Sequence, residues 1–112
     1  MSDPYIDASL SFRFLNLDKL QAFTLIREVQ GATYSQQIDE NCYVGSVPLL
    51  EEYLDNVNIF YVRQQINLSD CDIFITLKSE NASGSFTTPH IVNKLLKHID
   101  CQLTFAYTLS EA

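Results

Sequence analysis

The last stretch of the chain constrains the fold most. Between residues 101 and 109, Cys101, Leu103, Phe105, Tyr107 and Leu109 alternate without a break against Gln102, Thr104, Ala106 and Thr108. A period of two sustained this long fits a strand with one apolar and one polar face, and does not fit a helix. The polar face is small, as expected of an antiparallel sheet open to water on one side. Such a strand needs partner strands, and its apolar row needs a covering layer.

The rest of the sequence offers both. Leu10, Phe12 and Phe14 alternate with Ser9, Ser11 and Arg13, which predicts an opening strand. Asn16 then stands where a helix N-cap belongs, and Ala22, Leu25, Ile26 and Val29 repeat at helical spacing up to Gly31, predicting a helix over 17–30. Residues 31–45 mix polar and apolar side chains and read as a loop with a short edge strand near 41–45. Pro48 in a first turn, followed by Leu50, Tyr53, Leu54 and Val57, predicts a second helix over 47–56. The β-branched and aromatic run 59–66, the turn residues 67–70 and the alternation over 71–77 predict a hairpin. A Ser- and Gly-containing loop at 79–85 precedes Thr88-Pro89 and the stripe Val92, Leu95, Leu96 and Ile99, which predicts a third helix over 89–99.

Amphipathic helices and one-faced strands each bury a single side, so the expected fold is α+β. A mainly antiparallel sheet carries its helices on one face, on a ferredoxin-like split β-α-β plan with an extra helix. At 112 residues and 46% hydrophobic, the chain is expected to form a single domain that buries a core without disulfides or a metal. No apolar run is long enough to span a membrane, and Met1-Ser2-Asp3-Pro4 lacks the order of a secretion signal, which gives a cytoplasmic expectation.

Charge narrows the partner. Fourteen acidic residues against seven basic ones give a net charge of −7. The seven cations are scattered, which disfavours nucleic acid and anionic membranes as partners. The excess is concentrated: residues 39–72 hold Asp39, Glu40, Glu51, Glu52, Asp55, Asp70 and Asp72 against Arg63 alone. If these segments come together, they make an acidic surface that, with Tyr43, suits a basic protein. The expected partner-binding set is therefore Asp39, Glu40, Tyr43, Glu51, Glu52, Asp55, Asp70 and Asp72.

Chemistry is sparsely encoded. Cys42, Cys71 and Cys101 lack the spacing of metal ligands, and their odd number argues against a disulfide framework. His90 and His98, the only histidines, share one helix and have no nucleophile beside them in sequence. Asp70 and Asp72 point alike at strand spacing, but no partner group completes an acid–base pair. The glycines form no phosphate-binding loop. Neither a catalytic residue, a cofactor nor a metal is expected.

The opening strand Leu10-Ser11-Phe12-Arg13-Phe14 leading into a helix, and the closing helix Ile91-Val92-Asn93-Lys94-Leu95-Leu96 leading into Cys101-Gln102-Leu103-Thr104-Phe105-Ala106-Tyr107, cover about a third of the chain. In these segments it resembles the small acidic immunity proteins that bacteria encode beside polymorphic or contact-dependent growth-inhibition toxins. The resemblance implies a cytosolic inhibitor, not an enzyme, that covers the active site of a cationic toxin domain such as a nuclease. It carries no catalytic motif. An alternative expectation is a ferredoxin-like small-ligand or regulatory domain that self-associates. An enzyme using Asp70, Asp72 and a histidine ranks behind both.

Overall fold

A computed structural model describes residues 6–37 and 42–109, so the expected site residues Asp39 and Glu40 lie outside the described residues. The elements are β1 (Ile6–Leu17), α1 (Lys19–Glu28), β2 (Thr33–Gln36), β3 (Tyr43–Pro48), α2 (Leu54–Arg63), β4 (Cys71–Ser79), α3 (His90–Leu96) and β5 (Gln102–Leu109). Short 3-10 turns at Glu51–Tyr53 and Leu68–Asp70 lead into α2 and β4.

The five strands form one mixed sheet in the order β2-β3-β1-β4-β5. The first four strands pair antiparallel, while β5 joins β4 in parallel. β3 thus lies between β1 and β2, the two strands that α1 connects, and β1 lies between β3 and β4, the two that α2 connects. Parallel pairing of β5 follows from its long crossover through α3.

The core lies on the helix side. Phe12, Phe14 and Leu17 of β1, Tyr43 and Val47 of β3, and Cys71, Ile73 and Ile75 of β4 pack beneath Ala22 and Leu25 of α1, Val57 and Phe60 of α2, and Val92 and Leu95 of α3. The rings of Phe12, Phe14 and Phe60 meet edge to face in a chain, with centroids 5.1 Å apart at each step. Gly45 allows α1 to come this close: a Cβ there would overlap the Leu25 side chain and stand 3.0 Å from Leu17. Gly31, at φ 83°, takes the left-handed conformation that stops the chain after α1.

Several boundaries differ from the sequence expectation. α1 is capped by Asp18, not Asn16: its carboxylate accepts from the Gln21 amide at 2.7 Å while the Gln21 side chain accepts from the Asp18 amide at 3.0 Å. The short strand expected near 41–45 runs over Tyr43–Pro48, taking in the expected helix start, and it is paired on both sides instead of lying at an edge, because Tyr43, Gly45 and Val47 bury alternately and Pro48 ends the ladder. The second helix accordingly runs over Leu54–Arg63, and no hairpin forms between 59–66 and 71–77. Leu54, Val57 and Phe60 continue one buried helical stripe through the β-branched run, so packing overrides strand propensity.

Candidate protein-binding surface

The expected acidic residues do not assemble into one patch. Glu51 and Glu52 are exposed on the 3-10 turn before α2, and Asp55 is exposed in the first turn of α2. The Leu49 amide donates to the Leu10 carbonyl, which fixes this group beside the early part of β1. Asp70 precedes Cys71, which pairs with Phe14, four residues further along β1. At the rise of a strand the two β1 positions, Leu10 and Phe14, are about 13 Å apart.

Asp72 is on the other face altogether. It is only 2% exposed, and no helix covers it. Arg13 shields it by donating Nε to Oδ1 at 2.8 Å and Nη2 to Oδ2 at 2.5 Å, with its guanidinium 3.9 Å from the centre of the Phe74 ring. The Thr104 hydroxyl donates to the same Oδ2 at 2.6 Å, so the network links β1, β4 and β5. Burial pushes the Asp72 pKa up, but the hydrogen bonds from Arg13 and Thr104 and the Arg13 charge outweigh it and hold the carboxyl below its usual range. Tyr43 is buried, its ring against Tyr34 at 5.6 Å. Neither Asp72 nor Tyr43 is therefore available to a partner.

Glu51, Glu52 and Asp55 are left as the exposed acidic group, with α3 as their neighbour. Lys94 pairs with Glu51 and lowers its pKa by hydrogen bond and charge. A groove of about 390 Å³ between the two helices is lined by Asp55, Asn58, Tyr61, Lys94 and His98, and one of about 790 Å³ by Glu51, His90, Asn93, Lys94 and Lys97. Ile91, Leu54 and Leu95 complete the lining, so the surface is part apolar and mixed in sign, with acids on the α2 side and bases on the α3 side.

Burial pushes the Cys71 thiol up to about 12, with Cys101, Asp70 and Asp72 adding to the shift, and burial likewise raises Cys101. Such thiols stay protonated and inert at neutral pH. Among the described residues no three metal-ligating side chains come together, and no helix is long and apolar enough to cross a membrane.

The strand β5 was expected from the sequence; what the sequence did not show is that its apolar row stands partly open. Its apolar row points to the helix side, yet Leu103, Phe105, Tyr107 and Leu109 are 39–54% exposed. The signal was present in the uncharged, uninterrupted alternation, but alternation does not report whether a layer covers it. No known family model matches the chain, and neither a curated protein nor a solved structure matches it.

Proposed function

We propose that the chain is a protein-binding inhibitor of the immunity-protein kind, which neutralises a cationic toxin domain, most economically a nuclease, by covering its active site. The observation that carries this reading is the exposed carboxylate group Glu51, Glu52 and Asp55 at the start of α2, of which Glu51 is ion-paired with Lys94. A nuclease cleft is basic because it binds phosphate, so a fixed cluster of carboxylates is complementary to it. The buried Cys71 and the ion-paired Asp72 suit a module that binds without reacting. The site works in the cytoplasm, where the toxin would act on the cell's own nucleic acid.

The test is a capture from host lysate at low and high salt, with the recovered basic protein purified and assayed for cleavage of labelled DNA and RNA. Stoichiometric addition of the chain abolishes cleavage under this reading, and E51K/E52K/D55K slows association by about tenfold or more at low salt. Equal protection by the triple variant would remove the α2 surface from the account. The self-associating regulatory domain remains the second reading, favoured by the open row of β5.

A further inference from the structure

We propose that the free edge of β5 is a self-association surface, at which two copies of this chain pair β5 antiparallel to β5 about a two-fold axis and so continue their sheets into one. This inference is independent of the acidic surface and of any toxin.

Four observations select a second copy as the occupant. First, β5 is an edge strand of eight residues with neither charge nor proline; among the described residues no strand pairs with its outer edge, and its apolar row is about half exposed, with the Tyr107 hydroxyl donating to the Asn81 carbonyl. Natural edges are usually blunted by Lys, Pro or a covering element, and β5 shows none of these among the described residues. Secondly, charge limits where two copies can meet. Chains of −7 repel over most of their surfaces, and the uncharged strand Gln102–Leu109 is a place where like charges are not brought face to face.

Thirdly, the strand is self-complementary. Pairing about Phe105 or about Ala106 sets odd-numbered residues opposite odd-numbered ones, so the two rows of Leu103, Phe105, Tyr107 and Leu109 lie side by side on the helix face and shield each other. The small polar rows Gln102, Thr104, Ala106 and Thr108 likewise align on the open face. Fourthly, the opposite edge is a poor substitute. β2 has four residues, all exposed, and cannot pair the length of β5; β2-to-β5 addition would also propagate into an open filament, whereas β5 with β5 closes at two.

The exposed parts of the four side chains amount to about 400 Å² per copy, since a whole aromatic side chain buries roughly 150–250 Å². A standard interface takes about 800 Å² per partner. The dimer is therefore weak, and forms as concentration rises.

Sedimentation velocity over a roughly hundredfold concentration range, paired with amide hydrogen exchange at both ends, tests this. The expected result is a mass rising from one chain towards two, with concentration-dependent protection confined to β5. F105K, at a half-exposed position, places a charge in the row and should hold the chain as a monomer at the top concentration, with circular dichroism unchanged. F23K on α1 should leave the association as it was. A monomer at every concentration, a dimer that F105K leaves intact, or protection gained at β2 or α1 instead of β5 would overturn the proposal. The exchange experiment uses the unmodified chain, so it decides the matter even if F105K fails to fold.

Discussion

In β1 the alternating row closes over from a partly buried Leu10 to Phe12 and Phe14, 1% and 0% exposed, whereas in β5 the equally regular row Leu103, Phe105, Tyr107 and Leu109 stands 39–54% exposed. Both rows face the helices, and they are linked across the sheet: Phe12 pairs with Ile73, and Ile73 with Leu103. Exposure changes abruptly at the last step, from 0% at Ile73 to 39% at Leu103. The helices bring Leu25, Phe60 and Leu95 over β3, β1 and β4, and no described element does the same for β5. The same sequence pattern thus serves as core in one strand and as surface in another. An apolar row at a sheet edge is available for a partner, while a central one is spent on folding.

The comparison is broken most easily at its two phenylalanines. Phe12→Ala removes a fully buried ring and should cost about 3–5 kcal/mol, enough to unfold much of the protein, as read by urea denaturation. A loss below about 1 kcal/mol would mean that the β1 row is not sealed.

How much of this was legible beforehand follows from where the burial lies. The period of two in β1, β4 and β5 and the helical stripes of α1 and α3 survive because each element presents one apolar face. The α2 region misled because Ile59, Tyr61 and Val62 favour strands in isolation, while Phe60, on the stripe of Leu54 and Val57, ties the segment to the Phe14 ring. β3 was foreseen only near 41–45, because Ser46 and Pro48 read as a helix start; Gly45 sits where only a hydrogen fits beneath Leu25. Of the expected site, Glu51, Glu52 and Asp55 are exposed. Asp72 is not, because its partner Arg13 lies 59 residues away and only the β1–β4 register brings them together.

On the open face, Arg13, Asp72 and Thr104 tie β5 to the sealed strands, which suggests a second way to sharpen the contrast. Asp72→Asn leaves Arg13 without its charge partner and should cost about 2 kcal/mol, less than the 3–5 of a fully buried pair because Arg13 keeps some contact with water. Exchange in β5 should quicken more than in β1. The pH dependence has a fixed sign. Asp72 binds its proton more weakly when folded, so its stabilisation is complete above the unfolded carboxylate value of about 3.9 and is lost as pH falls through the lower folded value. Thermal melts of the wild type should therefore fall more steeply below about pH 4 than those of Asp72→Asn, and parallel curves would contradict the assignment.

Gly45→Ala pushes a methyl group against Leu25 and Leu17 and should cost about 1–3 kcal/mol by overpacking the sealed half. The smallest effect belongs to Phe105→Ala. Half its ring is already in water, so the loss in the dilute monomer should stay below about 1 kcal/mol. A cost near that of Phe12→Ala would show that β5 is covered after all.

Amide hydrogen exchange on dilute wild-type protein, resolved strand by strand, tests the central claim most directly. The account predicts that β1, hydrogen-bonded on both sides, exchanges only with global unfolding, while alternate amides on the outer side of β5 exchange orders of magnitude faster. Uniform protection of β5 at the level of β1, in a sample shown to be monomeric, would contradict it.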